Sequence, residues 1–351
     1  MKSQTAATKP LRHITAGELL DETFPAREYA VRPWLRTEES AMIWAPTGVG
    51  KTWLTLSLAV AMAGGGRVWE WNCPKPRRVL LIDGEMNTQD LQSRIKTLVE
   101  NGCVEDIDME ALRDNLLLAP RQYQKPKTDF YDITRENSQK TILDDMRKVG
   151  AEVLIVDNLT TCADDLDDEN DATAFRSTMD FFLMMKQAKK TVLVVHHANK
   201  GGASPRGSTA FEATFEVMLG LKKPEVSRTD VASFIADFGK IRTKGDDSVA
   251  KPHLWTLTET GWEVYEDEDA KVHRLLEALR TRDYVNQTEL GKALGINQSN
   301  VSRTLTRAVL TNHITRDEID NLFIQARQIR KGEDLEGFDS DLDDDDDDDE
   351  F

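Results

Sequence analysis

Short apolar runs alternate with amphipathic stretches between residues 39 and 265, and this alternation is the dominant pattern of the chain. A short apolar run bounded by polar or glycine residues predicts a buried strand, and apolar residues at every third or fourth position predict a helix. Such alternation is typical of an α/β fold in which helices cover a central, mostly parallel sheet. The predicted strands are Ala41–Trp44, Arg78–Asp83, Val153–Asp157, Thr191–His196, Glu216–Leu221 and Phe234–Ile241, with His253–Thr256 and Trp262–Tyr265 as candidates for a late hairpin at the sheet edge.

The same pattern divides the chain into four parts. A short helix is expected from Ala16 to Glu22, a polar loop at 120–135 and a charged linker at Glu266–Ala270. The carboxyl-terminal residues offer almost nothing to bury, so they are expected to be disordered. The predicted parts are a lead-in segment (1–32), the α/β domain (33–265), a small domain of helices only (266–331) and a disordered acidic tail (332–351).

The net charge of −17 is concentrated at the carboxyl end. Residues 333–351 hold 13 acidic residues and no basic one, so removing them from −17 leaves −4 for the rest of the chain. This balance does not exclude nucleic-acid binding, which local basic patches decide. The three cysteines lack metal-ligand spacing and no apolar run is long enough for a membrane span. We therefore expect a soluble, cytoplasmic protein.

The first predicted strand runs into a glycine-containing loop, and a helix follows. The loop is Ala45-Pro46-Thr47-Gly48-Val49-Gly50-Lys51-Thr52. Backbone N–H groups of such a loop converge on a phosphate at the positive end of the helix. Lys51 would contact the β- and γ-phosphates, and the Thr52 hydroxyl would bind Mg²⁺. Ala45 stands where glycine is commoner, but it is small enough to keep the turn. The octapeptide predicts binding of ATP with Mg²⁺ rather than a chance glycine turn.

Two other predicted strands end in carboxylates near this loop. Glu85 follows the second strand and is the candidate to orient and deprotonate the attacking water, the alternative being an exposed turn acid. Asp157 ends the third strand and is the candidate residue for Mg²⁺, often through water, the alternative being a solvated strand end. Because Asn158 follows Asp157, and not a second acid, the catalytic glutamate has to come from elsewhere, which favours Glu85.

Histidines and basic residues follow the fourth strand. His197 is the candidate sensor of the γ-phosphate, and the neighbouring histidine is expected to be structural. A zinc site is disfavoured because no cysteine or third histidine lies nearby in sequence. The glycine-rich segment from Lys200 to Thr209 suits a loop that grips a phosphodiester backbone, with Lys200 and Arg206 as candidate DNA contacts.

A second basic segment lies at the end of the sixth predicted strand. Lys240 and Arg242 share one face of that strand. Together they are candidates to neutralise γ-phosphate charge in an adjacent subunit, as an arginine finger does. The alternative is a solvated basic strand end.

In this combination and order, the motifs resemble the RecA-like ATPases, and most closely the RepA-type replicative helicases of plasmids and phages. Ala45–Thr52 is similar to the Walker A motif and Val153–Asp157 to Walker B, and Glu85 matches the catalytic glutamate of RepA- and DnaB-type helicases. The stretches at 196–208 and the Lys-x-Arg pair at 240–242 are similar as well. The resemblance implies a RecA-like core, ATP between subunits, a homo-oligomeric ring that is usually a hexamer, and DNA loops that hold single-stranded DNA in the channel.

Residues 271–314 resemble a helix-turn-helix of the winged type. Val272–Leu279 and Thr288–Gly295 are predicted helices, and Gln298–Arg307 is predicted as the recognition helix because polar residues at its start suit a DNA groove. A packing or protein-binding module is the alternative, since the segment is not strongly basic. The candidate DNA contacts are Gln298, Ser299, Asn300 and Arg303.

The chain ends in seven consecutive aspartates, Glu350 and Phe351. This ending resembles the acidic, aromatic-tipped tails of bacterial single-strand DNA-binding proteins and of T7-like phage replication proteins. The resemblance implies that Phe351 fills a pocket on a replication partner (a polymerase, primase or single-strand-binding protein) while the acids steer association. A solubilising tail is one alternative, and a DNA mimic that blocks the protein's own DNA loops is another.

Three functions fit the sequence. The first is an ATP-driven, ring-forming DNA helicase or translocase for phage or plasmid replication, which the ordered motifs and the tail favour. The second is a RecA/RadA-like recombination or repair ATPase that forms filaments on single-stranded DNA. The third is a nucleotide-switched regulator that reads a DNA site with its helix-turn-helix.

Overall fold

The strands and helices cover most of the chain. The computed structural model describes residues 11–163, 172–199, 201–202, 204–206, 214–224, 231–242, 251–310 and 312–339, and only the backbone at 172–175, 267–270 and 332–339. The strands are β1 (Tyr29–Val31), β2 (Leu35–Arg36), β3 (Ser40–Ala45), β4 (Arg67–Val68), β5 (Trp71–Asn72), β6 (Val79–Asp83), β7 (Leu116–Pro120), β8 (Val153–Asp157), β9 (Thr191–His197), β10 (Val217–Lys222), β11 (Ala232–Ile241), β12 (His253–Thr258) and β13 (Gly261–Glu266). The helices are α1 (Ala16–Asp21), α2 (Lys51–Gly64), α3 (Thr88–Glu100), α4 (Met109–Asn115), α5 (Glu136–Val149), α6 (Ala172–Gln187), α7 (Asp267–Arg280), α8 (Gln287–Leu294), α9 (Gln298–Leu310) and α10 (Arg316–Asp339).

One sheet of nine strands forms the centre, in the order β13-β12-β11-β10-β3-β9-β8-β6-β7. The strands from β10 to β7 are parallel, and β11 to β13 add an antiparallel edge. The predicted α/β class with a mostly parallel sheet is confirmed, and so is the late hairpin, which forms the edge pair β12–β13. The sequence analysis missed β7, which pairs with β6, and the two short pairs β1–β2 and β4–β5.

Helices cover both faces of the sheet, as continuous apolar strands require. On one face α2, α3 and α4 pack against alternate strand residues such as Ile43 and Ile155. On the other face α5 and α6 pack against Trp44, Val156 and their neighbours. Because both faces are buried, the loops at the carboxyl edge are the part of the sheet left open to a ligand.

Aromatic rings fill the core beneath the antiparallel edge. Trp255 on β12 is fully buried, and its ring centroid lies 4.5 Å from that of Trp71 and 5.7 Å from that of Trp262. We expect Trp255→Ala to lower the free energy of unfolding by about 3–5 kcal/mol, because a large cavity replaces these contacts. Urea denaturation followed by circular dichroism measures the loss. The control is Leu118→Ala on β7, where the side chain is 40% exposed, and an equal loss in both variants would contradict this account.

The last four helices form a small domain with a core of its own. Leu275, Leu290, Val301 and Phe323 belong to this core, which is separate from those of the sheet.

Three predictions about the carboxyl-terminal part of the chain need correction. The prediction of a linker at 266–270 is wrong, because β13 ends at Glu266 and α7 begins at the next residue. The described residues after β13 contain helices only, so they supply no β-hairpin wing. The helix α10 continues to Asp339, so the tail expected from 332 is helical in its first part. Residues 340–351 lie outside the described part.

Candidate nucleotide site

A cavity of about 240 Å³ opens at the carboxyl edge of the parallel strands. The loop after β3 forms one side, and the ends of β6, β8 and β9 form the other. Most of the predicted phosphate, metal and catalytic residues therefore share one cavity. Its lining residues are Thr47, Gly48, Gly50, Lys51, Thr52, Trp53, Glu85, Arg94, Asp157, Asn158, His197 and Val231.

The glycine loop has a backbone that leaves the start of α2 open. Gly48 and Gly50 have φ values of +78° and +115°, a region that favours glycine. A Cβ atom on Gly50 would also lie 2.6 Å from Cβ of Ala232. Gly50 is the N-cap of α2 and makes no side-chain cap hydrogen bond, so the first amide groups of the helix remain available to an anion.

Lys51 is held inside this loop. Its side chain is buried, and Nζ donates to the carbonyl oxygens of Ala45 at 2.9 Å and Pro46 at 3.0 Å. Burial lowers the pKa of Lys51, while the negative charges of Asp157 and Glu85 oppose that effect. The ammonium group thus lies beside the cavity, where phosphate oxygens would exchange with backbone oxygens as its partners.

Asp157 and Thr52 lie side by side in the lining of the cavity. The Thr52 hydroxyl hydrogen-bonds to the Asp157 carboxylate. Burial, with the negative charge of the adjacent Asp83 added, raises the pKa of Asp157 to about 7. A buried carboxylate beside a hydroxyl oxygen suits a hard divalent cation, whose charge offsets the cost of burying the anion. The residues present fit Mg²⁺.

Glu85 is positioned by a turn that Asp83 stabilises. Oδ1 of Asp83 accepts from the backbone N–H of Glu85 at 3.0 Å and of Met86 at 2.7 Å. Gly84 packs tightly against the loop after β8, since a Cβ atom there would lie 1.9 Å from Oγ1 of Thr161. The Glu85 side chain is 58% exposed, and its Oε1 lies 3.9 Å from Nε2 of His197. The carboxylate is therefore at the cavity mouth, where water has access.

Comparison with known proteins identifies this arrangement. A family model described as an AAA domain matches residues 5–203, which is more than half of the chain. The chain belongs to the AAA domain family. This membership supports the P-loop ATPase domain that the sequence motifs predict. No curated protein matches the sequence. Among solved structures, a KaiC-like protein from Pyrococcus horikoshii has 15% identity and a TM-score of 0.48, covering 68% of this chain and 99% of its own.

His196 and His197, the adjacent histidines at the end of β9, occupy different environments. His197 lines the cavity, with Nδ1 3.5 Å from Nζ of Lys51 and Nε2 3.4 Å from Nδ2 of Asn158. It thus lies between Lys51 and Glu85. His196 is buried, which lowers its pKa to about 4, and its Nε2 donates to the carbonyl oxygen of Arg206 at 2.9 Å. A neutral, buried His196 matches the structural role expected for it. Within the described residues, no group of three or more potential metal ligands occurs.

The segment after β9 in the AAA domain folds back as a short hairpin. Ala198 forms a bridge with Pro205, and the Arg206 N–H donates to the carbonyl oxygen of His197 at 2.9 Å. The hairpin lies beside the glycine loop, because a Cβ atom on Gly202 would be 3.8 Å from Cγ of Pro46. Arg206 is thus tied to the end of β9. Lys200, the other predicted DNA contact of this loop, lies outside the described residues.

Lys240 and Arg242 do not reach the cavity of their own chain. They lie at the far end of β11, where Ile241 is level with Val217, and Val217 is level with Ala41 at the start of β3. The glycine loop is about 16 Å away, at the other end of β3. Nη1 of Arg242 lies 3.5 Å from Oε1 of Glu216, and the Arg242 side chain is 57% exposed.

Sequence reasoning missed several residues of the AAA nucleotide site. Arg94 on α3 lines the cavity, with its guanidinium 5.0 Å from the ring centroid of Trp53. Asn158 is buried beside His197, and Asp83 holds the Glu85 turn. Asp83 ends its strand as Asp157 does, so the sequence carried a signal for it. Nothing in the sequence marks Arg94, which the packing of α3 brings to the site.

The candidate DNA contacts of α9 are all exposed. Gln298, Ser299 and Asn300 form the first turn of α9, and Arg303 lies one turn further along the same helix. Their exposure is compatible with a DNA groove and equally with a protein partner. Phe351 lies outside the described residues. In the part of the chain that the structure describes, no helix is long and apolar enough to cross a membrane.

Proposed function

We propose that the protein is an ATP-driven, ring-forming DNA helicase or translocase that serves phage or plasmid replication. One observation carries the proposal. The cavity holds Lys51, Glu85 and Asp157, whereas Lys240 and Arg242 lie at the opposite end of the sheet from it. Such a division suits a ring, usually of six subunits, in which each ATP site is completed by the next subunit.

The residues of the cavity have distinct tasks in this proposal. The amide groups of the glycine loop and Lys51 hold the phosphates of ATP. Thr52 and Asp157 hold Mg²⁺, which when bound neutralises phosphate charge. Glu85 orients the attacking water and accepts its proton. His197 lies next to both Lys51 and Glu85, so it can pass the loss of the γ-phosphate to the hairpin that carries Arg206.

Single-stranded DNA is the proposed substrate, held by Lys200 and Arg206 in the channel of the ring. Forked-duplex unwinding with ATP, measured on the full chain, tests this function. Unwinding that requires hydrolysis supports the helicase. ATP turnover without strand separation, with or without a loader, would reject it. Electron microscopy with ATP and single-stranded DNA distinguishes closed rings from the filaments of a recombination ATPase.

The exposed polar start of α9 favours a second candidate, the nucleotide-switched DNA-binding regulator. That candidate requires sequence-specific binding to duplex DNA that persists in Glu85→Gln. Deletion of residues 268–351 should then abolish the regulatory function while sparing ATPase activity. The helicase instead requires hydrolysis for its action on DNA, so Glu85→Gln separates the two candidates.

Arg242→Ala tests the completion of each site by a neighbour. We expect the ATPase kcat to fall by about 10²-fold, less than for most arginine fingers, because Arg94 already supplies one guanidinium from within the subunit. Mixing Arg242→Ala with Lys51→Ala should restore activity. In mixed rings, an intact glycine loop from one variant meets an intact Arg242 from the other.

Arg94→Ala is the matched control for this mixing experiment. Arg94 lies in the cavity of its own chain, so a Lys51→Ala neighbour cannot replace it. We therefore expect no recovery when Arg94→Ala and Lys51→Ala are mixed. Recovery in both mixtures, or in neither, would contradict the assignment of Arg242 to the neighbouring site.

A further inference from the structure

A groove lies in the helical domain, outside the nucleotide site. It has a volume of about 650 Å³, within the range of ligand pockets. Helix α7 forms one side, α9 forms the other, and the end of α8 closes it. The lining residues are Lys271, Arg274, Leu275, Leu294, Ile296, Asn300, Arg303, Thr304, Thr306, Arg307 and Leu310.

The groove combines positive charge with an apolar lining. Four of its residues are basic, and among the described residues that line it none is acidic. Lys271 and Arg303 are exposed, while Arg274 and Arg307 are half-buried. A ligand made of phosphates alone would make no use of the four aliphatic side chains that line the groove. A ligand with several negative charges and one apolar group fits better than a nucleic-acid backbone.

We propose that this groove binds the acidic end of the chain itself, residues 340–351. That segment has the matching chemistry, because Asp341, seven consecutive aspartates and Glu350 precede the terminal Phe351. The aromatic ring enters between the aliphatic side chains, and the carboxylates pair mainly with the two exposed basic residues, Lys271 and Arg303.

The length of the segment allows this docking. Arg330 on α10 donates to the carbonyl oxygen of Asp283, just after α7, which anchors α10 to the domain. Asp339 lies nine residues beyond Arg330, or about 14 Å along the helix. The twelve residues after Asp339 span up to about 40 Å when extended. An extended segment of this length can run from the end of α10 back along α7 to the groove. In an oligomer it could instead enter the same groove of a second copy.

Docking of the tail has a consequence for DNA. Asn300 and Arg303 line the groove and are also candidate DNA contacts of α9. A docked tail covers both and places negative charge where phosphates would lie, so tail and DNA exclude each other. Docking weakens as salt rises, because most of the pairing is between exposed charges. The inference does not depend on helicase activity.

Photo-crosslinking in the full chain tests the site. Phe351 is replaced by benzoylphenylalanine, which keeps an aromatic ring at the chain end, and the crosslinked peptides are identified by mass spectrometry. We expect crosslinks to residues 271–310, within one chain or between copies. Crosslinks to the ATPase domain, including the hairpin at Arg206, or the absence of crosslinks would overturn the proposal.

Binding of a separate tail peptide tests whether the basic residues of the groove hold the acidic segment. The full chain is prepared with Asp343–Asp349 changed to asparagine and Glu350 to glutamine, so that its own tail no longer carries these charges. This protein is titrated into a fluorescent peptide of residues 340–351, and the fluorescence anisotropy of the peptide reports binding. We expect Lys271→Glu to weaken peptide binding by about tenfold. Arg316→Glu makes the same charge change on an exposed residue outside the groove and should leave binding unchanged. Equal loss in both variants, or no peptide binding, would overturn the proposal.

Discussion

Lys51→Ala is expected to abolish ATP binding and to lower kcat/KM for hydrolysis by roughly 10³-fold or more. The reason is the geometry of the glycine loop. Nζ of Lys51 is a buried cation beside the cavity, with hydrogen bonds to the carbonyl oxygens of Ala45 and Pro46. Alanine removes the cation that faces the phosphates and leaves only the amide groups of the loop. Fluorescent-nucleotide titration and steady-state phosphate release measure the two effects.

The control for Lys51→Ala is Lys140→Ala on α5, an exposed lysine paired with Glu136 far from the cavity. This control should bind and hydrolyse ATP normally. Thermal melting of both variants checks that the sheet is intact, because a loss through unfolding would say nothing about phosphate binding. Normal ATP turnover in a folded Lys51→Ala variant would reject the nucleotide site.

Glu85→Gln is expected to keep ATP affinity and to lower kcat by roughly 10³–10⁴-fold. Glutamine has nearly the same shape but cannot accept a proton from water. Because Asp83 holds the turn through backbone groups, the substitution leaves the position of residue 85 unchanged. Single-turnover hydrolysis with radiolabelled ATP, combined with nucleotide titration, separates the loss of chemistry from a loss of binding.

Glu110→Gln on α4 is the matched control for this experiment. It makes the same chemical change on an exposed residue in the first turn of a helix outside the cavity. Its turnover should equal that of the wild type. If Glu85→Gln also turns over ATP at the wild-type rate, another group must activate the water, and Asp83 would be the next candidate because it is buried at the same strand end.

The parallel sheet could be predicted because each of its main strands is a continuous apolar run. The strand Val153–Asp157 was predicted with the bounds that the structure has. Leu116–Pro120 was missed, since as an edge strand it is only partly buried and follows directly on α4 without a turn signal. A buried central strand can be predicted from its local apolar pattern. The edge strand β7 forms because it pairs with β6, and that pairing is not visible in the local sequence.

The candidate site could be predicted where residues stand in a contiguous motif or end a strand. Lys51, Glu85, Asp157 and His197 come together because parallel strands bring their carboxyl ends to one edge. Arg94 could not be predicted, because its place depends on how α3 packs. The separation of Arg242 from the cavity follows from the direction of β11, which the apolar pattern does not reveal.

The strand β11 gives the proposed ring a direct means of communication. Its first residue, Ala232, packs so closely against Gly50 that a Cβ atom on Gly50 would lie 2.6 Å from Cβ of Ala232, so a shift of the glycine loop would press on the start of the strand. Its far end carries Lys240 and Arg242. In the proposed ring, β11 would therefore lie against the glycine loop of its own subunit at one end and face the neighbouring subunit at the other. Neighbouring sites in such a ring would hydrolyse ATP in sequence rather than independently, because occupancy of one site would influence hydrolysis at the next.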